Sequence, residues 1–267
     1  NRTTTLSLLL AGSLFSLTQA AHADSPLLWQ NNSVTYLYGK DFKVNPEIQQ
    51  TFTFEHADAW KYGDNFLFID KIFYNGQADR GKGYRTYYGE FTERFSFGKI
   101  LDRKVGFGPI KDVLLALSYE SGEGDNEAYL IGPGFDLDIP GFNYFTLNIY
   151  NRHTEGSRPG DNVWQITPTF SYTIPVGKSD ILIDGYMDWV VDNDENRRGT
   201  YHANLHFNPQ IKYDLAKAMG WGKRFYVGVE YDYWSDKYGI DDNSFLGDDI
   251  LGGTNQSAIS LLVKAHF

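Results

Sequence analysis

In the last eleven residues of the chain, Ser257, Ile259, Leu261, Val263, Ala265 and Phe267 alternate with Ala258, Ser260, Leu262, Lys264 and His266. Period two is a strand's period, because successive side chains of an extended chain leave opposite faces. The pattern recurs upstream. Trp164, Ile166, Pro168, Phe170, Tyr172 and Ile174 are separated by Gln165, Thr167, Thr169, Ser171 and Thr173. Tyr201, Ala203, Leu205, Phe207, Pro209, Ile211 and Tyr213 are separated by His202, Asn204, His206, Asn208, Gln210 and Lys212. A proline removes a ladder donor, so Pro168 and Pro209 are expected at a bulge or bend.

The same reading along the chain gives strands near 32–42, 48–59, 65–74, 85–97, 110–120, 127–139, 143–153, 163–174, 180–192, 201–214, 224–236 and 256–267. Twelve is an even number, as bacterial membrane barrels require. Short links at 60–64, 140–143 and 175–179 read as periplasmic turns. Charged or Gly-rich links at 75–84, 121–126, 155–162, 193–200 and 237–255 read as surface loops. The link 98–109 is long for a turn, and 215–223 has room for a short helix.

A soluble sandwich or lipocalin-like barrel also alternates, but it turns its apolar set inward, and roughly eight strands close around a filled interior. Twelve long strands enclose more space than side chains can fill. The expected fold is therefore an all-β transmembrane antiparallel barrel with the apolar set facing lipid. Ending the closing strand on the aromatic Phe267 fits the signal read by barrel assembly machinery.

The other terminus points the same way. Residues 1–23 read as a secretory signal, with Arg2 as the positive charge, an apolar stretch over 6–17 and Ala21-His22-Ala23 as the cleavage site. The barrel is then 24–267. The apolar stretch is shorter than the roughly 20 residues a helical span needs. The segment after it keeps 23 Lys and Arg against 34 Asp and Glu, a balance that repels nucleic acid. There is no Cys, so neither disulfides nor thiolate metal sites are available. The 19 Tyr, 19 Phe and 6 Trp suit strands and interfacial girdles.

Four segments carry a resemblance to a known family. They are Gly106-Phe107-Gly108-Pro109-Ile110-Lys111-Asp112, then Gly132-Pro133-Gly134-Phe135-Asp136-Leu137-Asp138-Ile139-Pro140-Gly141-Phe142, Asn208-Pro209-Gln210-Ile211-Lys212-Tyr213-Asp214, and Tyr226-Val227-Gly228-Val229-Glu230-Tyr231-Asp232-Tyr233-Trp234. The chain resembles the Tsx-like outer-membrane channels, especially the OmpK-type branch, over essentially the whole segment after the leader. The resemblance implies a monomeric channel, without cofactor or metal, in the outer membrane of a Gram-negative cell among phospholipid and lipopolysaccharide. It implies passive diffusion of nucleosides through a narrow lumen, and use as a receptor by phage or colicin.

Spacing does not show the nucleoside, but it shows whether the lumen suits one. A flat base and a hydroxylated ribose call for stacking side chains interleaved with carboxylates or amides. Phe66, Phe68, Asp70 and Tyr74 share one face of a strand, which sends Lys71 outward. Facing strands add Glu90 and Arg94, Asp184, Tyr186 and Asp188, and Glu230, Asp232 and Trp234. His202 and His206, on the polar face of 201–214, complete the candidate substrate-binding set. For any one of them the alternative is a structural ion pair inside the barrel, such as Glu90 with Arg94.

Other chemistry is weaker. His202 and His206 stand four residues apart, which on a strand is roughly 13 Å and too far to share a metal. The acidic run 192–196 lacks the Gly and Glu of an EF-hand, Arg197 and Ala203 standing there instead, although looser calcium binding there or at Asp241, Asp242, Asp248 and Asp249 stays open. Two competing readings remain at this stage: a barrel enzyme acting on lipid, with His153, His202 and His206 as raw material, and a receptor or adhesive barrel without nucleoside selectivity.

Overall fold

The computed structural model describes residues 26–79, 83–124, 126–155, 159–197 and 199–267. The expected leader lies outside the described residues. The strands are β1 (Leu27–Lys40), β2 (Gln49–Trp60), β3 (Gly63–Phe73), β4 (Arg85–Ser96), β5 (Ile110–Gly122), β6 (Asn126–Leu137), β7 (Phe142–Thr154), β8 (Val163–Val176), β9 (Ser179–Val190), the short pair β10 (Asp194–Asn196) and β11 (Gly199–Tyr201), then β12 (Asn204–Asp214), β13 (Phe225–Ser235) and β14 (Gln256–His266). All but β10 and β11 join one closed antiparallel barrel, in which β14 pairs with β1 to complete the ring. Closure pairs the strand edges around the ring, β1 with β14 over Ser33–Lys40, as a sheet in hydrocarbon must.

Burial follows the two-residue period. On β14, Ile259 and Leu261 are 59% and 66% exposed, while Ser260 and Leu262, which alternate with them, are each 2% exposed. The ladder fixes the same parity all round, so the buried set faces the lumen and the exposed Val, Ile, Leu and aromatic set faces lipid. Outward aromatics touch, Tyr36 with Phe52 on the next strand and Phe170 of β8 with Phe207 of β12 across β9, where the facing residue is Gly185. Part of the lumen wall is nevertheless apolar: Ala116, Ala128, Leu130 and Tyr150 form a buried patch on β5, β6 and β7. Gly134 faces the lumen there, and a Cβ on it would meet Asn148 Oδ1 at 2.7 Å. Side chains of the next strand thus lie directly over the Gly-Pro-Gly segment.

Three register shifts interrupt the ladder, at Leu27/Trp29, Ile110/Asp112 and Phe142/Tyr144. All lie at the end of the barrel that carries the short turns, which for this class is the periplasmic end. The prolines behave differently from expectation. Pairing of β12 with β13 skips Asn208 and Pro209, and pairing of β8 with β9 skips Thr167 and Pro168, with no change of register in either case. A missing donor opens the ladder locally instead of inserting a residue.

Two periplasmic connections are helical. Ser96 caps α1 (Phe97–Ile100) by accepting from the Lys99 N–H, which accounts for the long link after β4. Asp214 caps α2 (Leu215–Met219), and Gly220, at φ 71°, ends it in the left-handed conformation that glycine tolerates.

A charged and aromatic lumen as the candidate functional site

The expected lumen positions on β3, β4, β9, β12 and β13 all have the inward parity. Phe66, Phe68 and Asp70 lie opposite Ala57, Glu55 and Thr53 of β2 and opposite Thr92, Glu90 and Tyr88 of β4. Lys71 faces outward, its ammonium 5.8 Å from the Tyr87 ring. Phe68 stands between Phe66 and Tyr88, with ring centroids 6.2 and 5.9 Å away. Asp70 accepts from the Thr53 hydroxyl at 2.5 Å, and Glu90 accepts from the Tyr88 hydroxyl at 2.7 Å. One stretch of wall therefore carries three aromatic rings beside two carboxylates whose partners are neutral.

A second cluster forms on β9, β12 and β13. The imidazole of His206 stacks on Trp234 with centroids 3.9 Å apart and 12° between planes, and Tyr186 meets it edge-on at 5.2 Å. His206 Nε2 lies 3.2 Å from Asp232. Asp188 accepts from Thr167 at 2.6 Å and Gln165 at 3.0 Å, and Glu230 accepts from Gln210 at 2.8 Å. Asp184 is held by the Lys212 ammonium at 2.5 Å.

Three expectations need correction. The Glu90–Arg94 ion pair does not form: Arg94 clamps Asp64 with two bonds, at 2.8 and 2.9 Å, and reaches Asp136 at 3.0 Å. Four positions along a strand share a face but stand about 13 Å apart, so partners on neighbouring strands win. His202 is not on the lumen wall, because β12 starts at Asn204 and the His202 N–H bonds to Gly239 O in the long loop, 2.7 Å away. Tyr74 lies just past β3 at the mouth, with its N–H on Tyr84 O at 2.9 Å.

Several charged residues join the lumen without having been singled out. Arg152 grips Glu120 through two bonds of 2.5 Å and also reaches Gln165. Lys264 pairs with Glu55, and Ser33 adds a bond to the same carboxylate. These pairs skip a strand, Glu120 on β5 with Arg152 on β7 and Glu55 on β2 with Lys264 on β14. Parity gives the face, but only the stagger of the closed barrel brings such residues to one height.

At the extracellular mouth the connection between β13 and β14 packs against its neighbours, with the Tyr238 hydroxyl donating to Asn45 at 2.9 Å and Gly239 O accepting from the His202 N–H at 2.7 Å. Lys237 is buried in it, bonded to Gln256 at 2.6 Å and lying 5.1 to 5.8 Å from the rings of Tyr238, Trp234 and Phe42. Burial pushes its ammonium down to about 8, against the opposing charge of Asp232. Asp242 in the same connection is held below the usual carboxylate range, chiefly by the N–H groups of Thr254 and Asn255. Among the described residues no histidine is hydrogen-bonded to a serine; His153 faces Asp161 on the outside at 3.3 Å.

A closed twelve-stranded barrel with a lipid-facing aliphatic and aromatic surface and a charged, hydrogen-bonded interior is an outer-membrane channel of a Gram-negative cell. The chain belongs to the family of the nucleoside-specific channel-forming protein Tsx, which matches residues 27–266. No curated protein matches the sequence. Among solved structures the chain is similar to the KdgM porin, at 11% identity over 88% of this chain and 99% of that one, with a TM-score of 0.48. It is also similar to the outer membrane protein Omp33 of Acinetobacter baumannii, at 8% identity over 89% of this chain and 97% of that one, with a TM-score of 0.37.

Proposed function

We propose that the channel is selective for nucleosides and passes them by facilitated diffusion. The observation that carries this reading is the pairing of ring with carboxylate at two places on the wall, Phe66, Phe68 and Tyr88 beside Asp70 and Glu90, and Tyr186, His206 and Trp234 beside Asp188 and Asp232. A base entering the lumen meets π-faces, while ribose hydroxyls donate to carboxylates already held in place, Asp70, Glu90 and Asp188 by neutral partners and Asp232 by His206. Two such stations let a solute pass by exchange between weak sites, as conduction requires. The family to which the chain belongs supports the same substrate class.

Phe68, flanked by rings on both sides, is the residue to test. Replacing it with Ala should remove ~1 to 3 kcal/mol of base stacking. Adenosine or thymidine block of the ionic current in a planar bilayer should then weaken by about one to two orders of magnitude. Small-ion conductance should stay the same or rise. Wild-type channels that conduct ions but are never blocked by nucleosides would rule the selectivity out.

A further inference from the structure

Conduction through the lumen gives no role to Lys71, whose charge faces lipid. The ladder sets it level with Phe52 of β2 on one side and Tyr87 of β4 on the other. Arg85 is on the same face. It pairs with Phe73, the next outward position of β3, and so is the diagonal neighbour of Lys71, about 7 to 8 Å away along the backbone. Both stand at the extracellular end of the wall, because β3 rises to the connection 74–84 and β4 descends from it. Among the described residues, the outer face of the barrel strands carries two other cations, Lys40 at the extracellular end of β1 and Lys111 at the periplasmic end, 3.8 Å from Asp138. From β6 round to β14 that face has none. The extracellular rim is therefore cationic on the side of β1 to β4 alone.

Neither Lys71 nor Arg85 makes an ion pair or a side-chain hydrogen bond among the described residues, whereas in the lumen Arg94, Arg152, Lys212 and Lys264 are all paired. The polar groups beside them are already used. The Tyr36 hydroxyl donates to Gln50 at 2.9 Å, and the Gln50 amide donates to Asn75 at 3.0 Å. Glu123, whose N–H bonds to Tyr87 O at 3.2 Å, reaches neither cation with its carboxylate. Rings fill the rest of the surface, Phe52 meeting Tyr36 at 5.0 Å and Phe73 at 6.3 Å, with Tyr87 under the Lys71 ammonium. A cation on the lipid face costs most at the midplane and little near the interface. Two of them side by side at the interface, with no carboxylate of the chain to meet them, call for an anion from the membrane.

We propose that Lys71 and Arg85 form a phosphate site on the outer wall, and that its occupant is a phosphorylated glycolipid of the outer leaflet. The guanidinium takes two phosphate oxygens at once and the ammonium a third. Tyr36 and Tyr87 stand where acyl chain gives way to headgroup, the level that aromatic residues favour. Ile69, the next outward position toward the midplane, and Phe52 are both exposed and lie against the acyl chains. Lys40, further round the same rim, adds to the attraction. The site fixes lipid to one side of the barrel and is independent of what the lumen carries.

The test uses the full barrel in detergent micelles, titrated with lipid A and with dephosphorylated lipid A and read by native mass spectrometry. Lipid A should be retained roughly thirtyfold more tightly, the effect of about two interfacial cations. The Lys71→Gln/Arg85→Gln double variant should lose that preference. Arg103→Gln/Lys104→Gln, which removes two exposed cations from the periplasmic end, should keep it, and heat-modifiable migration on a gel reports that both fold. Arg85→Gln alone should lose about fivefold, and it decides the matter if the double variant does not fold. Two further arms separate the sources of phosphate. Inorganic phosphate that displaces lipid A at equal concentration would assign the site to a free anion, and phosphatidylglycerol held as tightly as lipid A would assign it to any anionic lipid; either overturns the glycolipid. Equal retention of lipid A and its dephosphorylated form, or equal loss in both double variants, would overturn the site altogether.

Discussion

Lys212 shows what a single residue contributes to this wall. Its side chain is 1% exposed and its ammonium is shared by Asp184 at 2.5 Å and Gln210 at 2.8 Å. Removing one partner of a buried pair strands the other charge, and the usual cost is ~3 to 5 kcal/mol. Asp184 keeps 22% of its side chain exposed, so lumen water softens the loss and Lys212→Met should cost about 3 kcal/mol, the lower end of that range. Adding Asp184→Asn should recover most of it, because the stranded charge is then gone. Urea unfolding in lipid vesicles measures both. A single variant within ~0.5 kcal/mol of wild type would mean that the pair is solvated and contributes little.

At the scale of the strand, the two faces of β12 should respond oppositely to the same charge. Ile211 is 48% exposed toward lipid, and its neighbour Gln210 faces the lumen beside Glu230. Ile211→Arg should destabilise the barrel by ~2 to 4 kcal/mol near the midplane, whereas Gln210→Arg should fold and change conductance. Equal damage from both would mean that the face assignment is wrong. This division into faces was legible from alternation alone, and so were the twelve strands and the inward parity of Phe68, Asp70, Asp188 and Glu230. Height was not: Arg94 reaches Asp136, 42 residues away, because barrel closure and stagger set which positions meet. His202 was misplaced because a backbone bond to Gly239 competes with the ladder, and no side-chain pattern reports such a bond.

The connection after β13 adds a pH dependence at the same scale. While both the docked and the free loop carry the Lys237 proton, below about pH 8, docking bears the full cost of burying the charge. As pH rises from there toward the ordinary lysine value of roughly 10.4, the docked amine gives up its proton first and that cost lifts. Docking should therefore tighten between these values, and closures of single channels should lengthen from pH 7.5 to pH 10. Lys237→Met, which keeps the aromatic cage filled, should show no such trend. A wild-type channel whose closures do not change over this range would argue that the loop does not gate the mouth.

The whole lumen sorts its charges into those that cancel and those that do not. Glu120 with Arg152, Asp184 with Lys212, Glu55 with Lys264 and Asp64 with Arg94 are closed ion pairs. Asp70, Glu90, Asp188 and Glu230 are bonded instead to Thr53, Tyr88, Thr167 and Gln210, all neutral. The pore's net field is set by this second group, so cations should pass more readily than anions. Opening one pair shifts that balance in a foreseeable direction. Glu120→Gln removes a carboxylate and exposes the Arg152 charge to the pathway. A unit charge acting through water at about 8 Å is worth roughly 0.5 kcal/mol, against a cation and in favour of an anion, so the cation-to-anion permeability ratio should fall by about sixfold. Arg152→Gln should move the ratio the other way by a similar factor, since Glu120 is then uncompensated. The reversal potential in a potassium chloride gradient reads both changes. If the two variants shift it in the same direction, the effect comes from altered pore width and the charge assignment fails.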